Sequence, residues 1–162
     1  GARGVQVRSA AELEPVDGLI LPGGESTTML KLLREENLIE PLREFGRRHP
    51  IFGTCAGAIL LATRVTNPDQ ESLALMDFDV ERNGYGRQLD SHVAQLETGD
   101  GPLEAVFIRA PIIRRVGGKV RVLARYDGDP VLVEQGVHMA ATFHPELSAG
   151  DRVHRLFLEK IR

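Results

Sequence analysis

The sequence predicts an α/β domain, a three-layer sandwich around a mixed, mostly parallel central sheet. Short apolar strands alternate with amphipathic helical segments over residues 16–62, which is the order typical of a layered α/β sheet. Glycine-containing turns follow two of these strands, at residues 23–24 and 53–57. Ligands of such sheets bind beyond the carboxyl ends of the strands, so we expect the functional site at that edge.

The composition is that of an ordinary globular domain, with 162 residues, 42% hydrophobic and 27% charged. A net charge of −3 without a basic run argues against a nucleic-acid partner. No segment is apolar over a length that would cross a membrane, and no secretory signal is visible. The single cysteine excludes an intrachain disulfide and favours a cytoplasmic location. The five histidines are scattered, so we expect no metal site.

The pattern predicts further elements along the chain. In the first half we expect strands at 5–7, 16–21 and 50–54, a helix with Met29, Leu32, Leu33 and Leu38 on its apolar face, and a helix over 39–48. In the second half we expect strands at 76–82, 92–96, 105–109, 120–126, 131–134 and 138–143, turns at 117–118 and 127–130, and a closing helix after residue 148.

The segment Gly53-Thr54-Cys55-Ala56-Gly57 joins an apolar strand to an apolar helix. This is the nucleophile-elbow pattern with cysteine in place of serine, a tight turn that exposes one side chain above the sheet. Its glycines allow a close backbone approach that a Cβ would obstruct. Cys55 would lie at a helix N-terminus, where free N–H groups favour the thiolate. The alternative is a buried structural cysteine.

The segment His144-Pro145-Glu146 supplies a candidate base. Proline disfavours helix for the preceding residue, so we expect an extended His144 with Glu146 on the same side. A histidine oriented by a carboxylate accepts the thiol proton and returns it to the leaving group. The alternative is a partly buried histidine beside a helix-capping glutamate.

Gly23 and Gly24 follow the strand at 16–21 and precede a helix. Attack on an amide carbonyl creates an oxyanion, which backbone N–H donors stabilise. Gly24 and the N–H of Ala56, next after the nucleophile, are the candidate donors. A simple turn is the alternative interpretation for the glycine pair.

Together these three segments resemble the class I (triad) glutamine amidotransferases. Several longer stretches are similar to the glutaminase subunits of pyridoxal 5′-phosphate synthases, and the similarity runs from the first strand to the last helix. These stretches are residues 21–29, 52–57, 80–83, 86–88, 106–111 and 143–147.

The resemblance implies hydrolysis of L-glutamine to L-glutamate and ammonia, with Cys55 as nucleophile and His144 and Glu146 completing the triad. It implies no cofactor, and it implies a synthase subunit as partner in a large hetero-oligomer that makes pyridoxal 5′-phosphate. The implied glutamine-binding residues are Gly24, Glu25, Ser26, Arg82, Ile108 and Arg109. Asn83, Arg87 and Gln88 are supporting or interface residues in the same region.

Several alternatives remain open from the sequence. Arg82 and Arg109 also fit surface ion pairs, and Ser26 fits a helix cap. The chain also fits a glutaminase of an imidazole or purine pathway, or an inactive regulatory subunit with the same fold. Family members begin with a strand, a Gln-Gly loop and a helix ahead of the segment that matches Gly1. We therefore expect one glutaminase domain over 1–162, N-terminally incomplete and without that first strand and helix.

Overall fold

The computed structural model describes residues 1–84 and 91–161. Within these residues the helices are α1 (Ala10–Leu13), α2 (Ser26–Glu35), α3 (Ile39–Arg48), α4 (Ala56–Leu61) and α5 (Arg152–Ile161). The strands are β1 (Leu19–Leu21), β2 (Ile51–Thr54), β3 (Ala62–Thr66), β4 (Met76–Glu81), β5 (Ser91–Thr98), β6 (Gly101–Ile108), β7 (Ile112–Val116), β8 (Arg121–Tyr126), β9 (Asp129–Gln135) and β10 (His138–Ala141). A 3₁₀ turn spans Pro145–Leu147.

The central sheet has the strand order β1-β2-β10-β9-β8 in the part of the chain that the structure describes. The pairs β1–β2 and β2–β10 are parallel, whereas β10–β9 and β9–β8 are antiparallel. The predicted mixed sheet is therefore confirmed, but it is not mostly parallel, because two of its four strand pairs among the described residues are antiparallel. Its parallel part is confined to the three strands that end in the candidate site segments. A three-stranded sheet, β3-β4-β7, and the β5-β6 hairpin complete the fold.

The central sheet separates two hydrophobic cores. Ile51 of β2 and Ala140 of β10 belong to the first core, together with the buried faces of α1 to α4 and the β3-β4-β7 sheet. Phe52 and Met139, their sequence neighbours, belong to the second core with the β5-β6 hairpin and α5. Side chains of a strand alternate between its two faces, so each inner strand contributes to both cores. This alternation produces the predicted three layers.

Many of the predicted elements are confirmed. The helix over 39–48 has the predicted bounds, and the turn at 127–130 is a two-residue hairpin loop with Asp127 and Gly128 at positive φ. Gly117 and Gly118 form the expected turn. A hydrogen bond of 3.1 Å from the Val120 N–H to the Gly117 carbonyl closes it.

Other details of the prediction are wrong. Residues 5–7 pair with no strand among the described residues. Since a strand requires a hydrogen-bonding neighbour, they form no strand. On α2 the buried residues are Ser26 and Leu30, whereas Leu32 is exposed because it lies on the opposite face of the helix. Leu38 is buried but follows the end of α2.

None of the helices within residues 1–84 and 91–161 has the length and apolar character that a membrane-spanning helix requires.

Candidate active site

Three loops meet at one edge of the central sheet. Since β1, β2 and β10 are adjacent and parallel, their carboxyl ends lie side by side, with Leu21 in register with Gly53 and Ala141 in register with Thr54. The first loop carries Gly23 and Gly24, the second Cys55, and the third His144. The sheet topology therefore brings together the three segments that the sequence singled out.

The turn at Cys55 has the geometry of a nucleophile elbow. Cys55 has φ 51° and ψ −108°, and its N–H donates to the Ala141 carbonyl at 2.8 Å, which ties the elbow to β10. A Cβ on Gly53 would overlap the Gly57 carbonyl, and a Cβ on Gly57 would overlap the Leu21 carbonyl. Only glycine permits these approaches, so the glycine frame fixes α4 against β1 and β2 as predicted.

Cys55 is buried, and burial raises the pKa of its thiol from 9.0 to about 11. A hydrogen bond from the Ala56 N–H to the sulfur lowers the pKa, whereas the negative charge of Glu146 raises it further. The helix N-terminus therefore does not suffice to make the free thiol acidic, contrary to the expectation from sequence. The Cys55 Sγ lies 3.9 Å from the Ile108 carbonyl oxygen, its acceptor in this state.

His144 and Glu146 contact each other as predicted, with the His144 Nδ1 at 2.6 Å from the Glu146 Oε1. The local reason differs from the prediction, because Glu146 lies in the 3₁₀ turn rather than in an extended segment. The contact places the proton on Nδ1 and leaves Nε2 as the ring's acceptor. The His144 N–H donates to the Val106 carbonyl at 2.8 Å, which joins this loop to β6.

Gly23 is packed against the His144 ring. A Cβ at Gly23 would overlap the His144 Cε1 and would lie 3.1 Å from Nδ1. The glycine pair is therefore more than a simple turn, because one of its members gives the imidazole its space. Gly24 has φ 144°, a conformation that favours glycine.

Glu25 caps α2 and also binds Arg82. Its carboxylate accepts from the N–H of Thr27 at 3.1 Å and from the N–H and hydroxyl of Thr28, both at 2.7 Å. The Thr28 hydrogen bonds lower the pKa of Glu25 to about 2. The Arg82 guanidinium lies 3.0 Å from the Glu25 Oε1. Ser26 is therefore the first helical residue rather than the cap, which corrects the alternative interpretation of its role.

The end of β6 reaches the same site from the other side. Ile108 supplies the carbonyl oxygen beside Cys55, and Arg109, which follows it, has φ 46°. A positive φ is uncommon for arginine, so the backbone changes direction at this residue. Arg109 is exposed and takes part in interactions of its own.

Of the remaining residues that the sequence singled out in this region, Asn83 lies in the described part of the chain. Asn83 donates to the Asn67 carbonyl at 2.8 Å and so supports the loop beside Arg82. Gly86, Arg87 and Gln88 lie outside the described residues. Sequence reasoning missed Gln70, whose Oε1 accepts from the Ser26 and Thr27 hydroxyls, each at 3.3 Å. Its segment carries no motif, so only the tertiary fold reveals the contact.

Comparison with known proteins gives consistent matches. The chain is 61% identical to the pyridoxal 5′-phosphate synthase subunit PdxT of Solibacter usitatus, covering 99% of this chain and 88% of that protein. It is 52% identical to the subunit of the same name from Pelotomaculum thermopropionicum, covering 99% and 84%. A crystal structure of a glutamine amidotransferase is 47% identical with a TM-score of 0.90, covering 96% of this chain and 84% of that one.

The sequence model of the SNO glutamine amidotransferase family matches residues 1–162, the whole length of the chain. The topology, the elbow and the relatives agree with this match. The chain belongs to the SNO glutamine amidotransferase family.

Proposed function

We propose that this chain is the glutaminase subunit of a pyridoxal 5′-phosphate synthase. It hydrolyses L-glutamine to L-glutamate and ammonia and delivers the ammonia to a synthase subunit in a large hetero-oligomer. The observation that carries the proposal is the meeting of Cys55, His144 and the Gly23-Gly24 loop at the ends of three parallel strands. The names of the relatives favour this acceptor over an imidazole or purine pathway.

In the proposed reaction the His144 Nε2 takes the proton of the Cys55 thiol as the sulfur attacks the side-chain carbonyl carbon of glutamine. The oxygen of the tetrahedral intermediate accepts hydrogen bonds from the N–H groups of Gly24 and Ala56. The C–N bond then breaks, and His144 returns the proton so that the nitrogen leaves as ammonia. A thioester between Cys55 and the glutamyl group remains.

Water completes the cycle. His144 removes a proton from the water as it attacks the thioester carbonyl, and the collapse of the second tetrahedral intermediate releases glutamate and the Cys55 sulfur, which regains its proton from His144. Glu146 holds the imidazole through Nδ1 during both steps. The raised pKa of Cys55 means that the free thiol is protonated near neutral pH, so proton transfer to His144 is an obligatory part of attack.

The substrate's ends are assigned to the residues around Glu25. An amino-acid substrate carries a carboxylate and an ammonium group, which require a cation and oxygen acceptors respectively. In the proposal Arg82 and the backbone at Ile108 and Arg109 bind the carboxylate, while Glu25 and Ser26 lie next to the ammonium group. The ion pair between Arg82 and Glu25 holds the guanidinium in place before glutamine arrives.

The test measures ammonia release from glutamine by the chain alone and in complex with its synthase subunit. We expect the synthase to stimulate release in the wild-type protein and Cys55→Ala to abolish it, while Cys55→Ala still binds the synthase. Synthase-stimulated release that persists in Cys55→Ala would refute the mechanism. Failure to bind the synthase, with glutamine still hydrolysed, would instead point to another ammonia acceptor.

A further inference from the structure

The loop between β3 and β4 carries a half-buried glutamine, Gln70, that the reaction above does not use. The Gln70 Oε1 accepts hydrogen bonds from the hydroxyls of Ser26 and Thr27, both at 3.3 Å. These two residues begin α2, directly after the Gly24-Glu25 segment. Gln70 thus contacts the helix turn that borders the proposed glutamine pocket, although it lies more than 40 residues away in sequence.

The same loop is fixed to the helix that follows the nucleophile. The Leu73 N–H donates to the Leu60 carbonyl of α4 at 2.7 Å, and the Leu75 N–H donates to the Leu61 carbonyl at 3.0 Å. Gln70 itself donates its N–H to the Val65 carbonyl at 3.4 Å. Since α4 begins immediately after Cys55, the loop links the helix of the nucleophile to the first turn of α2.

The Gln70 amide is hydrogen-bonded through its oxygen only. The Gln70 Nε2 is buried and has no hydrogen-bond partner among the described residues. A buried donor without a partner destabilises a folded protein, so the amide nitrogen does not account for a glutamine at this position. What the amide provides is the Oε1 acceptor for the two hydroxyls.

We infer that Gln70 is a positioning residue for glutamine binding, acting through the Ser26 hydroxyl; this inference rests on the proposed function. By accepting the hydrogen bond from the Ser26 hydroxyl, the Gln70 Oε1 fixes the direction of the O–H bond. The lone pairs of the Ser26 oxygen then remain available to accept hydrogen bonds from the substrate. A hydroxyl in this orientation accepts a hydrogen bond from the substrate's ammonium group. Its hydrogen is directed to Gln70 and is not donated to the substrate's carboxylate. Gln70 therefore affects the binding of glutamine, whereas the chemical step at Cys55 does not depend on it.

The test compares Gln70→Met with Gln135→Met in the full chain bound to its synthase subunit. Methionine matches glutamine in size and removes the acceptor. Gln135 is the matched control because its Oε1 accepts a hydrogen bond from the Asp77 N–H at 2.7 Å, away from the site. We expect Gln70→Met to raise the KM for glutamine about three- to tenfold, with kcat changed by less than about twofold, as for one lost hydrogen bond. We expect Gln135→Met to leave both constants unchanged.

A double-mutant cycle tests whether Gln70 acts through Ser26. In a Ser26→Ala background, Gln70→Met should raise KM by less than about twofold, because the hydroxyl it orients is absent. A folded Gln70→Met variant with unchanged KM, an equal rise in Gln135→Met, or a full effect in the Ser26→Ala background would overturn the inference. Thermal unfolding and synthase binding establish that each variant is folded. An inactive wild-type complex would instead refute the proposed function.

Discussion

At the scale of single residues, the proposed proton transfer depends on two features of the site, the burial of Cys55 and the absence of a side chain at Gly23. Burial raises the pKa of the Cys55 thiol to about 11, so the thiolate is a minor species at neutral pH. Gly23 provides the space in which the His144 ring stands. In the proposed reaction, Cys55 therefore depends on His144 for its activation, and His144 depends on Gly23 for its position.

The raised pKa of Cys55 predicts slow alkylation of the free protein. Iodoacetamide reacts with the thiolate, so its rate at pH 8 should be about 100-fold below that of a thiol with pKa 9, and should still be rising at pH 10. The chain has one cysteine, so mass spectrometry of the intact protein reports this site alone. A rate that levels off below pH 9 would show that the thiol is acidic in the free protein.

Substitution of Gly23 by alanine should displace the His144 ring. We expect kcat to fall between about 100- and 10,000-fold, the contribution typical of a positioned general base, with the protein still folded. Gly118→Ala is the matched control, because no atom lies within 4 Å of the Cβ it would add. The kcat of both variants is measured from steady-state ammonia release in the synthase complex. Equal activities would show that the ring tolerates the additional methyl group.

At the scale of secondary-structure elements, a buried histidine joins β10 to β2 at the end of the sheet opposite the site. The His138 Nδ1 accepts from the Ile51 N–H at 3.1 Å, and the ring also hydrogen-bonds to the backbone of Gly46. Burial lowers the pKa of His138, and the positive charge of Lys160 lowers it further, whereas the Gly46 bond raises it. The neutral ring is therefore part of the folded state.

This histidine makes stability depend on pH. A histidine whose pKa is lower in the folded than in the unfolded state stabilises the fold above its ordinary pKa of 6.5, and this contribution is lost as the pH falls below that value. The melting temperature should therefore fall from pH 7 to pH 5. In His138→Gln the fall should be smaller, even though this variant is less stable at pH 7. An identical fall in both proteins would show that other groups cause it.

The elements also show where sequence reasoning succeeds. The strands that carry Cys55 and His144 were predictable because apolar runs end at glycine or proline, which are strong local signals. The strand β3 was not predicted, since Thr63 and Arg64 interrupt its apolar pattern and it follows α4 without a turn. The contact of Gln70 with Ser26 was not predicted either, because it joins residues 44 positions apart and no local pattern reports such a contact. The pKa of Cys55 likewise depends on tertiary burial.

At the scale of the whole molecule, the central sheet makes the two cores interdependent. Ile51 and Phe52 are adjacent in β2, both fully buried, and they point into different cores. Neither core is complete without the strands that end in the candidate site segments. We therefore expect the chain to behave as a single domain in which the site is lost together with the fold.

This arrangement predicts one unfolding transition. Ile51→Ala should destabilise the protein by about 2–5 kcal/mol and Phe52→Ala by about 3–5 kcal/mol, through cavities in the first and second core respectively. Each variant should shift the same single transition in calorimetry, with near- and far-ultraviolet circular dichroism coincident. Two transitions, each shifted by only one variant, would show that the layers unfold separately.

The burial of Cys55 also bears on how the protein survives oxidants. Peroxide oxidises thiolates far faster than thiols, and the oxidation products beyond the sulfenic acid are not readily reversed. A thiol that stays protonated and buried therefore reacts slowly with peroxide. The low acidity of Cys55 therefore also protects the only cysteine of the chain from oxidation.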